Sequence, residues 1–226
     1  MEERQAAYID QFQRATFDEI MEDPELYAFA NAGGRAAFKD NCATCHGTGA
    51  EGFKGYPNLN DDDWLWGGTV YDIKQTVQYG VRANNDETRL SLMPGFGKDG
   101  LLTKEEIKEV IKYIRDISGQ DFEGSSAAGQ AVYKNNCISC HGENGKGLDQ
   151  YGSPDLTDAL WLYGGDVETL YETLYYGRAG IMPAWDGRLD ENTIKQLAIY
   201  VHQLGGGEES IDNEKTDFDA LGEKAE

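Results

Sequence analysis

No cysteine of this chain stands outside two short strings, NCATCHG at residues 41–47 and NCISCHG at residues 136–142. No apolar run approaches the roughly 18 residues expected of a membrane-crossing helix, and the start, MEERQAAYID, is no signal peptide. Positive charge is scarce: 20 basic residues face 41 acidic ones, a formal net charge of −21. Nucleic acid and anionic membrane surfaces are therefore excluded as partners. Hydrophobic residues make up only 39% and glycine accounts for 28 of 226 positions, which argues against one large apolar core. The length suits two small domains or one of medium size. Histidine and methionine, at three and four, are rare enough for each position to be weighed singly.

Both cysteine strings are C-x-x-C-H, the signature of covalent c-type haem attachment. Two thiols one helical turn apart can each form a thioether to a haem vinyl group, and the next residue, His46 or His141, can ligate the iron from one face. Zinc is the competitor, because two C-x-x-C pairs can make a four-thiolate site. Zinc ribbons, however, bring their pairs within about 15 to 20 residues, whereas these lie most of a domain apart, and the adjoining histidine in both copies would be unexplained. The expected cofactors are two covalent haem c groups, around which two short, apolar-poor segments can fold.

The strings belong to an internal duplication. AGGRAAFKDNCATCHG from Ala32 aligns with AAGQAVYKNNCISCHG from Ala127, and both copies place a glycine six residues after the histidine, Gly52 and Gly147. YPNL faces SPDL, DWLWGG faces LWLYGG, Tyr79-Gly80 faces Tyr176-Gly177, and Met93-Pro94 faces Met182-Pro183. The repeats disagree in one place: Gly177 reaches Met182 in five residues and Gly80 reaches Met93 in thirteen, so the first carries eight extra residues within VRANNDETRLSL. This insertion is expected beside the exposed edge of the first haem, as a docking element or as a tolerated surface loop.

The reading is all-α, two tandem copies of one domain, each wrapped around a covalent haem c. Gly34, Phe38 and Cys42, like Gly129, Tyr133 and Cys137, recur every four residues and share a helix face. Thr103 with Glu106 forms a capping box ahead of one apolar stripe, and Asp190 caps another. Tyr113 and Tyr200 on these terminal helices are candidate contacts for the glycine notches. The expected divisions are a helical lead-in over 1–31, a first domain over 32–117, a linker over 118–126, a second domain over 127–205 and an acidic, disordered tail over 206–226. The lead-in and the tail each hold eight acidic and two basic residues, so they carry more than half of the net charge. That charge either aids solubility or attracts a basic electron-donor protein.

For the sixth iron ligand, Met1 is the initiator and Met21 precedes the first motif, which leaves Met93 and Met182, one per repeat. A methionine thioether raises a haem potential compared with histidine. His202 is the one histidine outside the motifs and sits on the last expected helix, where a surface role is expected. The carbonyls of Pro57 and Pro154 are candidates to accept the Nδ1 proton of the ligating histidines. Trp64 and Trp161 either line the propionate side of each haem or pack in the core. With both irons six-coordinate, no position is open to substrate and no catalytic residue is expected; the chain is an outer-sphere electron carrier.

With these residues assembled, the chain resembles a tandem class I cytochrome c, and more closely the dihaem subunit (CcoP) of cbb3-type cytochrome c oxidases. The strings that carry the likeness are NCATCHG, YPNLNDDDWLWGG, RLSLMPGFG, NCISCHG, GIMPAW and GRLDENTIKQLAIYVHQLGGGE, over roughly residues 1 to 209. The resemblance implies a subunit anchored by a helix preceding the haem domains. Its haem-bearing part would face the periplasm and pass electrons from a cytochrome c donor, through a monohaem subunit, towards the catalytic subunit that reduces oxygen. It also implies that Cys42, Cys45, His46 and Met93 serve the first haem and Cys137, Cys140, His141 and Met182 the second. Since haem c is attached outside the cytoplasmic membrane, Met1 is expected to be an artificial start with an anchor or signal removed. Two other readings stay open: a free periplasmic dihaem shuttle, and a dihaem oxidoreductase such as a peroxidase with one open haem.

Overall fold

The structure, a computed structural model, describes residues 2–120 and 126–209. It contains ten α-helices among those residues and, in place of strands, only isolated bridges. The lead-in forms α1 (Glu2–Arg14) and α2 (Phe17–Glu22), the second opened by a Thr16/Glu19 capping box. Asp23 then accepts the Glu25 and Leu26 N–H groups and Pro24 takes the first position of α3 (Pro24–Asn41), as its fixed φ and missing N–H favour. This helix runs unbroken into the first motif, so the boundary expected at residue 31 falls inside it. The first motif itself is the single turn α4 (Ala43–His46).

Further along are α5 (Val70–Tyr79) and α6 (Lys104–Ile117), the latter opened by the expected Thr103/Glu106 capping box. The second repeat supplies α7 (Ala127–Asn136), α8 (Ile138–His141), α9 (Val167–Tyr176) and α10 (Glu191–Leu204). Asp190 caps α10 through the Thr193 N–H, as its position in the sequence indicates.

Packing does not follow the repeats. α10, the last helix among the described residues, lies along α3 and α5 of the first repeat, while α6 lies along α7 and α9 of the second. The glycine notches explain the close approach. A Cβ on Gly34 would stand 2.2 Å from the Gln196 carbonyl oxygen and 2.5 Å from Tyr200 Cβ, and one on Gly129 would stand 2.1 Å from the Glu109 carbonyl oxygen and 3.0 Å from Tyr113 Cβ. Tyr200 therefore serves the notch of the first repeat and Tyr113 that of the second. One apolar core joins Phe12, Ile20 and Phe38 to Leu197 and Ile199; the other joins Ile107, Val110 and Ile111 to Tyr133, Leu170 and Leu174. Each such buried aliphatic or aromatic side chain contributes about 1.5–3 kcal/mol by leaving water.

The exchange passes through two crossing segments. Val81, just after α5, exchanges both backbone hydrogen bonds with Met182 at 3.0 Å, and Arg178, just after α9, does the same with Met93 at 3.0 Å. The packing units are accordingly a continuous one, from about Met93 to Arg178, set within a discontinuous one made of the residues before and after it. The expected domains 32–117 and 127–205 divide the chain by repeat, whereas each terminal helix finds its matching notch in the other repeat. At the start of the expected tail, Gly68 and Glu208 are joined by Glu208 N–H to Gly68 O at 2.9 Å and Gly68 N–H to Glu208 Oε2 at 2.7 Å. Residues 121–125 of the linker and 210–226 of the tail lie outside the described residues.

Candidate haem sites

Each C-x-x-C-H turn is built alike. The second cysteine and the histidine direct their N–H groups at the carbonyl of the first cysteine, and the glycine six residues on folds back to the histidine carbonyl, Gly52 at 2.7 Å and Gly147 at 3.0 Å. These glycines have φ of +67° and +79°, and a Cβ would meet the Tyr56 carbonyl oxygen at 2.5 Å or that of Ser153 at 2.2 Å, so no larger residue closes the loop. The returning loop delivers the proline. His46 Nδ1 lies 3.0 Å from the Pro57 carbonyl oxygen and His141 Nδ1 lies 3.2 Å from that of Pro154.

That contact fixes the tautomer. With Nδ1–H donated to a carbonyl, Nε2 carries a lone pair suited to a metal. Burial lowers the pKa of both histidines, and the proline carbonyl only partly offsets it, so each ring is neutral and ready as a ligand. Burial also pushes the Cys42 thiol up to about 11 and Cys137 to about 12, the partner cysteine adding to the effect. Neither is a thiolate at neutral pH, which disfavours thiolate redox or nucleophilic chemistry at these positions.

The methionines approach from the exchanged halves. Met182 packs on the core that contains Phe38, Cys42 and Trp64. Met93 packs on the core that contains Tyr133, Cys137 and Trp161, and it lines a cavity of about 300 Å³ together with Cys137, Cys140 and His141. Each motif thus shares its core with the methionine of the other repeat, not with the one the resemblance assigns to it. Spacing alone could not reveal this, since the two methionines occupy equivalent places in equivalent repeats.

Trp64 and Trp161 give a direct test of fit for haem. Their indole Nε1 atoms are buried and have no hydrogen-bond partner. Such an orphaned donor costs about 1–3 kcal/mol, and a haem propionate would satisfy it. A largely apolar cavity, four cysteines in two turns, neutral histidines and two matching orphan donors all fit the group.

Comparison with known proteins agrees with the site. The family model described as cytochrome c oxidase, cbb3-type, subunit III matches residues 29–114 and 124–201. The chain belongs to that family. It is similar to the cbb3-type cytochrome c oxidase subunit FixP of Bradyrhizobium sp. (strain ORS 278), with 54% identity over 85% of this chain and 67% of the relative. It is likewise similar to the subunits named CcoP of Azospirillum sp. (strain B510), 49% identical over 90% of this chain and 72% of the relative, and of Cereibacter sphaeroides, 52% identical over 84% and 66%. Covalent haem c is the cofactor that goes with membership of this cbb3 subunit III family, and the chain spans about two thirds of these relatives' length.

Within this cbb3-family scaffold two functional candidates escaped the sequence reading. Arg178 hydrogen-bonds the Thr173 hydroxyl at 2.7 Å and stacks over Tyr163, 4.2 Å from its ring centre; Arg89 hydrogen-bonds the Thr76 hydroxyl at 3.0 Å and lies 5.3 Å from the Trp66 ring centre. Each thus bonds a threonine hydroxyl of the preceding helix and faces an aromatic ring. Arg178 directly follows its glycine, but the insertion displaces Arg89 to nine residues after Gly80, which hid the match. Arg82, Ser91 and Leu92, at the two ends of that insertion, line the cavity of the second motif. The insertion was expected beside the first haem; the exchange places its ends at the second.

The two sites adjoin. A second cavity of about 460 Å³ is lined by both histidine-holding prolines, Pro57 and Pro154, together with Asp63, Leu65, Leu162 and Tyr163. The loops around it touch directly, with Gly55 N–H donating to the Leu162 carbonyl at 2.8 Å. No helix among the described residues is long and apolar enough to cross a membrane.

Proposed function

We propose that the chain carries two covalent haem c groups with crossed ligation and relays electrons for a cbb3-type oxidase. Cys42 and Cys45 would attach the first group, with His46 and Met182 to hold its iron; Cys137 and Cys140 would attach the second, with His141 and Met93. The single observation that carries the reading is that each histidine turn, fixed by its proline carbonyl, shares a core with a methionine and an orphaned tryptophan N–H. Bound haem supplies reversible one-electron chemistry at iron.

The chain's own residues do the rest. Pro57 and Pro154 orient the imidazoles and raise their donor strength. The methionine thioethers would hold the iron, leave no open site for substrate and favour its reduced state. Trp64 and Trp161 would each donate a hydrogen bond to a propionate, and the apolar walls keep water from the metal. Because Pro57 and Pro154 line one cavity, an electron would cross between the sites over the loops around Leu65 and Leu162. The donor would be a cytochrome c and the acceptor the monohaem and catalytic subunits of the oxidase, on the periplasmic side of the membrane where haem c is attached. The shuttle and peroxidase readings have no observation in their favour.

Intact-mass measurement under denaturing conditions tests the cofactor: two retained haems are expected, and a chain with one, or one that releases haem into acid solvent, overturns the proposal. Near-infrared spectra of the oxidised protein should show methionine–iron bands from both haems, with no uptake of carbon monoxide after reduction.

A further inference from the structure

Arg82 stands where the two methionine-bearing segments cross. Its backbone lies in the left-handed region, φ +51°, which a non-glycine side chain adopts at a cost. The strain is held by contacts on every side. Its N–H donates to the Arg89 carbonyl at 2.7 Å, while the preceding residue, Val81, is paired with Met182. The guanidinium Nε donates to the Gly180 carbonyl at 2.5 Å, and Nη1 donates to the Ser91 carbonyl. Gly180 lies two residues before Met182 and Ser91 two residues before Met93. Among the described residues no carboxylate forms an ion pair with Arg82, so its donors are directed at backbone on both crossing segments.

We infer that Arg82 is a shared positioning residue that ties both methionine segments together and so holds the sixth ligand of both haems from one point. The inference rests on the crossed ligation proposed above. The rigid guanidinium fork is what makes the tie possible, because it presents separate donors to two acceptors at once, and a lysine ammonium has no such fork. Backbone pairing also joins the segments, but the neighbouring arginine side chains stay local: Arg89 reaches Thr76 and Asp72, and Arg178 reaches Thr173. Only a residue that bonds both segments can loosen two irons through one substitution. The residue makes no contact with iron in this scheme and acts through the segments alone.

Arg82→Gly is the informative variant, because glycine takes the positive φ without strain and the loss of the guanidinium is thereby separated from a backbone effect. Helical circular dichroism and a mass corresponding to two haems should be retained. The methionine–iron near-infrared band should weaken for both haems, and the reduced variant should take up carbon monoxide at both, approaching two per chain, where the unsubstituted protein takes up none, as expected for losing a charged hydrogen bond on each segment. Arg82→Lys, which keeps the charge without the fork, should move both signals in the same direction and serves if the glycine variant does not assemble. Bands unchanged in both variants, or lost at one haem only, would overturn the inference while leaving the ligands intact. Absence of either methionine band from the unsubstituted protein would instead overturn the ligand reading, and the inference with it.

Discussion

Asp63 occupies the cavity wall between the two histidine-holding prolines. Burial first, and then the charges of Asp158, Asp61, Asp155 and Asp62, push its carboxyl from 3.8 up to about 6. A raised carboxyl pKa means that the folded state keeps a proton the unfolded chain has released, so this group's contribution to stability declines as pH rises from about 4 to about 6 and is level above that. Asp63→Asn should therefore raise the thermal midpoint at neutral pH and lose that advantage below about pH 4, as unfolding scans at both pH values would show. Deprotonation also adds a negative charge between the sites, so both haem potentials should fall as pH rises through about 6, and the Asn variant should flatten that slope in a redox titration. Nothing in NDDDWLWGG distinguishes Asp63 from Asp62; burial by residues of the other repeat does. The methionines present the same limit. Met-Pro recurring once per repeat singles these two out in the sequence, but nothing there says which motif each packs beside. In a chain stripped of the first haem by Cys42→Ala/Cys45→Ala, Met93→Ala should open the remaining iron to carbon monoxide and Met182→Ala should not; the opposite result would restore pairing within each repeat.

At the level of elements, the decisive contacts are the two glycine notches. In an exposed helix, Gly→Ala stabilises by about 1 kcal/mol. At Gly34 the added carbon would lie 2.2 Å from the backbone of α10, and overpacking of this kind costs about 1–3 kcal/mol, so the steric effect wins. Gly34→Ala should lower the thermal midpoint and, by displacing α10 and the segment ahead of it, weaken the methionine–iron band of the first haem alone. Gly129→Ala should do the same to the second. The helices themselves were readable from the sequence: the four-residue recurrence of Gly34, Phe38 and Cys42, the Thr103/Glu106 box and the Asp190 cap all lie where local chemistry places them. Which helix fills which notch is a long-range choice between two nearly identical surfaces, and local chemistry carries no information about it. Arg89 was hidden for a related reason, since an insertion destroys the register by which it would have been matched to Arg178.

For the whole molecule, the nesting of one unit within the other separates two kinds of fragment. A piece spanning residues 89–180 contains α6 to α9, His141 and Met93, and should take up one haem with a methionine band. A piece ending at residue 120 has His46 but lacks Met182 and α10, and should yield a loosely packed protein without that band. Mixing it with residues 121–226 during maturation should restore the band, and mass and near-infrared measurements on each preparation check these outcomes. A contiguous family match over each repeat, 29–114 and 124–201, gives no hint of this division, because sequence similarity follows the chain and packing follows the notches. The nesting also imposes a chronology. As the chain emerges amino terminus first, the pair Cys42 and Cys45 is presented before Cys137 and Cys140, yet its site packs against α10, the last of the described helices to arrive. The inner unit can mature as soon as α9 is out, while the outer one stays open through the whole of its neighbour's assembly. The haem attached first would thus be the one sealed last, and a chain shortened by its final helix would lose the older site while keeping the younger.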